Sequence, residues 1–92
     1  MNLSAEQLKY VEELGGAFYT PHQIANIMEL DTDEIDRMLA NRNSEFYKHY
    51  WRGFYTSDYE HRQSVIKLAK MGSSPAQTMV ESLIKQAKMN AV

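Results

Sequence analysis

The chain has 92 residues, a formal net charge of −2 at pH 7 and no cysteine. A chain of this length forms one small domain with a modest core, so association would be a natural source of extra stability. The absence of cysteine excludes disulfides, thiolate metal sites and cysteine nucleophiles. There is no apolar run of about 18 residues and no signal-peptide pattern at the start, so we expect a cytoplasmic protein without a membrane partner.

The charges are distributed unevenly between the two halves of the chain. Residues 1–45 hold nine acidic and three basic residues, a net charge of −6, whereas residues 46–92 hold three acidic and seven basic residues, a net charge of +4. Such an asymmetry favours either head-to-tail pairing between copies or binding of an anion by the second half.

The first segments have the spacing and the end signals of short helices. Ser4 is placed to cap a first helix, with Gln7 completing a capping box, and Gly15 and Gly16 end it. Thr20 is the expected N-cap of a second helix, and Asp31 of a third. The sequence therefore predicts three helices within residues 1–43.

Residues 21–38 match the frame of a helix-turn-helix. Ala25 falls where the two helices approach most closely, and Glu29 stands where a glycine is common, which predicts a slightly different turn. The positions that must be apolar to bury the pair are occupied by Ile24, Met28, Leu30, Ile35 and Met38. We expect an all-α protein whose residues 1–43 form a three-helix helix-turn-helix unit.

A long helical hairpin is predicted for residues 44–92. Its first helix begins after Ser44 and runs to Met71, and a break or bend between Gly53 and Ser57 is left open because Gly53 weakens a helix by about 1 kcal/mol relative to alanine. The stretch "GSSP" at 72–75 indicates a stop and a restart. There Ser74 is the expected cap of a last helix over 75–89.

The helix that would enter a DNA groove is acidic. Its first residues are Asp31, Thr32, Asp33, Glu34 and Asp36, and its only cation is Arg37. Binding to duplex DNA is driven largely by neutralising phosphates, which these carboxylates oppose. Acidic residues in a first turn also interact favourably with the helix dipole. The unit can therefore be interpreted as a scaffold that does not read DNA.

The stretch "FYKHYWRGFY" at 46–55 places six aromatic residues in ten positions. Its helical spacing favours an internal core for Phe46, Tyr50 and Trp51. For the remaining rings, a subunit interface is favoured over base stacking, because tyrosine is enriched where proteins meet. The residues expected at an interface between copies are Tyr55, Tyr59, Met79, Leu83 and Ile84.

After the helix-turn-helix, the stretch "YWRGFYTSDYEHRQSVIKLAKMGSSPAQTMVESLI" resembles the small terminase subunits of tailed bacteriophages. The matching features are Arg52-Gly53 after an aromatic residue, then Arg62, "LAKMG" at 68–72, and Ala76 in the next helix. The resemblance implies a protein of the host cytoplasm that binds viral duplex DNA and presents it to the large terminase subunit. It also implies assembly into an oligomer through the hairpin, as in the rings that such proteins form. The residues expected to contact DNA are Arg37, Arg42, Lys48, Arg52, Arg62 and Lys67.

Two other functions remain open from the residues alone, a transcription regulator and a protein-interaction module without DNA affinity. An enzyme is not expected, because no catalytic or phosphate-binding motif is present. His22, His49 and His61 lack the spacing of helical metal ligands, so neither a metal nor a cofactor is expected.

Overall fold

The computed structural model describes residues 2–91, and these residues form an all-α fold, as the sequence predicts. Its five helices follow one another without a strand in the described part of the chain. They are α1 (Ala5–Gly16), α2 (Pro21–Met28), α3 (Thr32–Ala40), α4 (Glu45–Lys70) and α5 (Ser74–Asn90). The first three are short, and α4, with 26 residues, is the longest.

The chain divides into two compact units, Met1–Asp58 and Tyr59–Val92. The first unit contains α1, α2, α3 and the first half of α4. The second contains the rest of α4 together with α5. The sequence-based division into a helix-turn-helix unit over residues 1–43 and a hairpin over residues 44–92 remains a prediction.

Side-chain caps fix where the first helices begin. Ser4 and Gln7 form the predicted capping box, in which each side chain accepts from the other residue's backbone N–H, and Thr20 and Gln23 repeat this arrangement at the start of α2. Asp31 caps α3 by accepting from the backbone N–H of Asp33 at 2.9 Å. These bonds satisfy helix-end donors that would otherwise have no partner within the helix.

The core of the first unit gathers residues from all four of its helices. Its buried members are Val11, Leu14, Ile24, Ala25, Ile35, Phe46 and Tyr50. The apolar positions of the helix-turn-helix frame all face this core, with Met28, Leu30 and Met38 partly buried against it. The core predicted for Phe46 and Tyr50 is confirmed, and Trp51 is half-buried at its edge.

The turn between α2 and α3 keeps the backbone conformation that glycine favours, although Glu29 occupies the position. Glu29 has φ 56° and ψ 44°, which is the left-handed region, and the next residue, Leu30, donates its N–H to the carbonyl of Ala25 at 2.8 Å. The expected change of turn geometry is therefore not seen. Glu29 adopts the left-handed conformation itself, at a steric cost that glycine avoids.

Glycines allow α1 and α4 to cross with their backbones in contact. A Cβ atom added to Gly53 would lie 2.0 Å from the carbonyl oxygen of Glu12, and one added to Gly15 would lie 2.7 Å from that of Tyr50. Gly16 faces the hydroxyl of Ser57 in the same way, at 2.8 Å. Any side chain at Gly53 would therefore push the two helices apart.

Helix α4 continues through residues 53–57 without a break, and it ends at a left-handed glycine. Gly72 has φ 99°, and Ser73 donates its N–H to the carbonyl of Leu68. The cap of α5 is Ser73, whose hydroxyl accepts from the N–H of Ala76 at 3.4 Å, so the prediction of Ser74 as the cap is wrong by one residue. Because Ser73 and Ser74 are adjacent and both precede Pro75, the sequence pattern fits either register.

The second unit has very little core of its own. Among residues 59–91, the buried side chains are those of Val65 and Ala76. The side-chain amide of Gln77 also donates to the carbonyl of Ala69 at 3.1 Å, which ties α5 to α4. The large apolar side chains that remain exposed are Tyr59, Ile66, Leu68, Met71, Met79, Ile84 and Met89.

Replacing Gly53 with alanine should destabilise the first unit, although alanine is the better helix former by about 1 kcal/mol. Overpacking against a backbone atom typically costs about 1–3 kcal/mol, and here the overlap with Glu12 is severe, so we expect the free energy of unfolding to fall by about 2 kcal/mol. Urea unfolding followed by circular dichroism measures this change.

The matched control is Thr56→Ala, an exposed position one turn further along α4. It should change the free energy of unfolding by less than about 0.5 kcal/mol. A Gly53→Ala variant as stable as the original chain would show that α1 and α4 do not cross at this contact.

Candidate nucleic-acid interface

The predicted DNA-contacting cations are distributed over both units. Arg37 and Arg42 are exposed, on α3 and in the turn after it, and Lys48 and Arg52 are exposed on the first half of α4. Arg62 and Lys67 lie in the second unit, also exposed. Their role in binding DNA remains a prediction.

The charged side chains of α3 are partly engaged within the fold. Glu34 forms an ion pair with Arg37, and Asp36 accepts a bond from Nε2 of His22 on α2 at 2.7 Å. Asp33 remains exposed, and Asp31 serves as the cap. The acidity of α3 therefore has a structural role in part, but its exposed surface still opposes the approach of phosphates.

Lys48 and Arg52 differ from Arg37 in their charge environment. Among residues 2–91, no acidic side chain forms an ion pair with either of them. The two residues are four positions apart on a helix, so they lie on one side of α4. They form a positive site that the fold does not neutralise.

Aromatic rings form a continuous surface next to these cations. Phe18 meets Phe54 edge-on with ring centroids 5.1 Å apart, and Phe54 lies 5.3 Å from both Trp51 and Tyr55. Trp51 and Tyr55 are stacked at 5.4 Å with an angle of 25° between their planes. We refer to Phe18, Trp51, Phe54 and Tyr55 as the ring surface. Two of its members are accessible, since Phe18 is 49% and Tyr55 59% exposed, whereas Trp51 and Phe54 are half-buried against the core.

The backbone at Phe18 holds an unusual conformation. Phe18 has φ 66°, and it ends α1 by donating its N–H to Gly15 at 2.9 Å, while Tyr19 donates to Leu14 at 3.2 Å. This is the position at which helices usually carry glycine. Phe18 is not among the residues predicted for the site, because Gly15 and Gly16 indicate only that a helix ends there. An aromatic residue directly after the end of a helix gives no local signal of left-handed backbone.

Beneath the ring surface, Tyr50 attaches the loop that carries Phe18 to α4. The Tyr50 hydroxyl donates to the carbonyl of Tyr19 at 2.9 Å. Burial raises the pKa of this hydroxyl above its ordinary value of 10.0. The bond fixes the position of the loop relative to the rings of α4.

His49 connects α4 to α1 on another side of the helix. Its Nδ1 lies 2.8 Å from a carboxylate oxygen of Glu12, and its Nε2 lies 3.4 Å from one of Glu45. Only 21% of the His49 side chain is exposed. His49 and Glu12 are therefore structural partners at the crossing of α1 and α4, a role that the sequence did not indicate.

The residues predicted for an interface between copies are largely accessible. Tyr55, Tyr59, Met79 and Ile84 are all about half exposed or more, and Leu83 is half-buried. Their contact with another copy is a prediction that no observation yet tests. Tyr55 belongs to the first unit and the other four to the second.

Residues 2–91 contain no group of three or more histidine, aspartate or glutamate side chains placed to hold a metal ion. None of their helices combines the length and the apolar character needed to cross a bilayer.

Comparisons with protein-family models, with curated proteins and with solved structures gave no match to this chain.

Because the pKa of Tyr50 is raised, we expect its contribution to the free energy of unfolding to depend on pH in the alkaline range. Below pH 10.0 the hydroxyl is protonated in both the folded and the unfolded chain. As the pH rises further, the unfolded chain loses this proton first, so the contribution of Tyr50 to stability declines. The difference in free energy of unfolding between the original chain and Tyr50→Phe should therefore be largest below pH 10.0 and shrink above it.

Urea titrations between about pH 8 and about pH 11 measure this difference. Tyr10→Phe, at an exposed position on α1, controls for the loss of a tyrosine hydroxyl as such. A Tyr50→Phe difference that is unchanged above pH 10.0 would contradict the assignment.

Proposed function

We propose that this protein is an oligomeric DNA-binding adaptor of the small-terminase type, which binds viral duplex DNA and presents it to a large, ATP-hydrolysing terminase subunit. The observation that supports this proposal most directly is the second unit, whose two helix segments leave most of their apolar side chains uncovered. The all-α arrangement of short helices followed by one long helix fits the same proposal.

The second unit supports assembly through the amount of apolar surface that it exposes. Its buried side chains within residues 59–91 are one valine and one alanine, while Met71 is 74% and Met89 69% exposed. Burying apolar surface stabilises by about 25 cal/mol per Å². Copies that cover the flanks of α5 at Met79 and Ile84 would gain a core that the single chain lacks.

The charge of the second unit supports an anionic partner. Residues 59–92 hold two acidic and five basic residues, a net charge of +3, whereas residues 1–58 carry a net charge of −5. Phosphate contacts are therefore proposed for Arg62 and Lys67 of this unit. They are also proposed for Lys48 and Arg52 of the first unit, because no acidic side chain among residues 2–91 forms an ion pair with either. In an oligomer, repeated copies of these cations would add their attraction for one duplex.

The acidic surface of α3 favours a second candidate, a protein-interaction module. Asp33 and Asp36 are exposed where a DNA-reading helix would meet the groove. A basic protein surface would find these carboxylates complementary. The two candidates differ in whether any duplex binds at low salt.

Assembly is tested by the mass of the native particle. We expect light scattering to report an oligomer, and Met79→Glu with Ile84→Glu to reduce it to a monomer, because each glutamate would place a charge in an apolar interface. Ser82→Glu is the matched control, since Ser82 is an exposed polar residue of the same helix. A monomer at high protein concentration would contradict the proposal.

DNA binding is tested by the salt dependence of duplex affinity. Arg52→Glu and Lys67→Glu should each weaken binding and lower the slope of log K against log salt by about 1, as expected for a lost phosphate contact. The control is Lys9→Glu, which reverses the charge at an exposed position of α1. If no duplex binds at low salt while the oligomer forms, the interaction-module candidate replaces the DNA-binding one.

A further inference from the structure

We infer that the ring surface, together with Lys48 and Arg52, binds single-stranded DNA by stacking bases against Trp51 and Tyr55. This inference rests on the proposed function, since it takes DNA as the partner, and it deepens that function by adding a second mode of binding.

The backbone at Phe18 is strained to present an exposed ring. A non-glycine residue in a sparsely populated backbone region costs about 1–3 kcal/mol, and bulky residues are rare there. Phe18 occupies a left-handed position that a glycine would fill without strain, yet its ring is about half exposed. Packing within the first unit therefore does not fully explain why an aromatic residue stands at this position. Residues with strained backbones of this kind are concentrated at binding sites.

The indole of Trp51 provides a second, independent observation. Its Nε1 is inaccessible to solvent and has no hydrogen-bond partner among residues 2–91. Leaving a buried donor unpaired costs about 1–3 kcal/mol, and a purely apolar side chain would avoid this cost. Packing alone does not explain the indole, and its stacked arrangement with the exposed ring of Tyr55 suits a platform for bases.

The rings of Trp51 and Tyr55 provide a stacking platform of suitable geometry. They are stacked on one side of α4, one helical turn apart. Phe54 and Phe18 extend the apolar surface to the loop between α1 and α2. A base against the exposed face of Tyr55 would continue the stack that Trp51 begins. Stacking of this kind tolerates any base, because every base has a flat π face.

The charges beside the rings select an anionic occupant. Lys48 precedes Trp51 by three positions, Arg52 directly follows it, and neither has an acidic partner among the described residues. Aromatic faces combined with free cations match a strand that carries both bases and phosphates.

The ring surface suits single-stranded DNA better than duplex DNA, because the faces of the bases are accessible only in a single strand. Inside a duplex both faces of each base are covered by neighbours, so the rings would have nothing to stack on. A single strand offers free faces together with a flexible phosphate backbone. The ring surface thus adds to the phosphate contacts proposed for duplex DNA a preference for unpaired stretches or ends.

Trp51 is the single tryptophan of the chain, so its fluorescence reports directly on this site. The experiment titrates the full chain at low salt with oligothymidine of about 12 nucleotides, and in parallel with a blunt duplex and with inorganic polyphosphate. We expect oligothymidine to quench the Trp51 emission by stacking, and polyphosphate to leave it nearly unchanged.

Substitutions separate stacking from folding. Tyr55→Ala should weaken oligothymidine binding about ten-fold, the size of one lost base–ring stack. Tyr10→Ala, which removes an exposed tyrosine of α1 outside the ring surface, should leave it unchanged. Phe18→Gly should weaken binding without loss of folding, because it also relieves the left-handed strain.

Each contrary result has a distinct meaning. Duplex binding without quenching by oligothymidine would overturn the stacking site and leave the packaging proposal standing, whereas the absence of binding to either would overturn both. Equal losses in Tyr55→Ala and Tyr10→Ala, or equal quenching by polyphosphate, would also overturn the stacking site. Trp51 emission that changes on dilution of the protein alone would assign the ring surface to a second copy instead.

Discussion

Direct backbone contact between α1 and α4 is the constraint on which the first unit depends. Gly15, Gly16 and Gly53 permit this contact, and the carbonyl of Glu12 occupies the space that a side chain of Gly53 would need. The close approach brings His49 to the carboxylate of Glu12 and allows the Tyr50 hydroxyl to reach the carbonyl of Tyr19. The ring surface follows from the same crossing, because Phe18 lies just beyond α1 and meets Phe54 only when the two helices are this close.

The two units differ in their apolar core and in their net charge. The first has an apolar core supplied by four helices and carries excess negative charge, although rings such as Phe18 and Tyr55 remain exposed on it. The second carries excess positive charge and leaves apolar side chains in solvent along α4 and α5. The two units therefore differ both in the size of their apolar core and in the sign of their net charge.

Local signals were enough to predict the helices, and tertiary contacts were not visible in the sequence. The capping boxes at Ser4 and Thr20 involve residues three positions apart, so a short stretch contains all their partners. Gly53 was interpreted as a weak point of α4, because its reason for being glycine is Glu12, which lies 41 positions earlier. The core roles of Phe46 and Tyr50 followed from helical spacing.

For the candidate interface, the sequence identified the cations and the aromatic residues but not their arrangement. Lys48 and Arg52 could be selected by charge, and Tyr55 by its position away from the main apolar stripe. The left-handed backbone of Phe18 and the unpaired indole N–H of Trp51 depend on three-dimensional neighbours, for which a single sequence carries no signal.

Because α4 belongs to both units, the order in which the chain gains structure is constrained. Starting a helix is the slow and unfavourable step, while each added residue extends it at little further cost. The core of the first unit holds Phe46 and Tyr50 in helical conformation, so α4 has a nucleus from which it can propagate toward Lys70. The weakly packed second unit therefore receives one of its two helices as a continuation of a stable one. Only α5 must nucleate anew, and Ser73 and Pro75 stand at its start to help it.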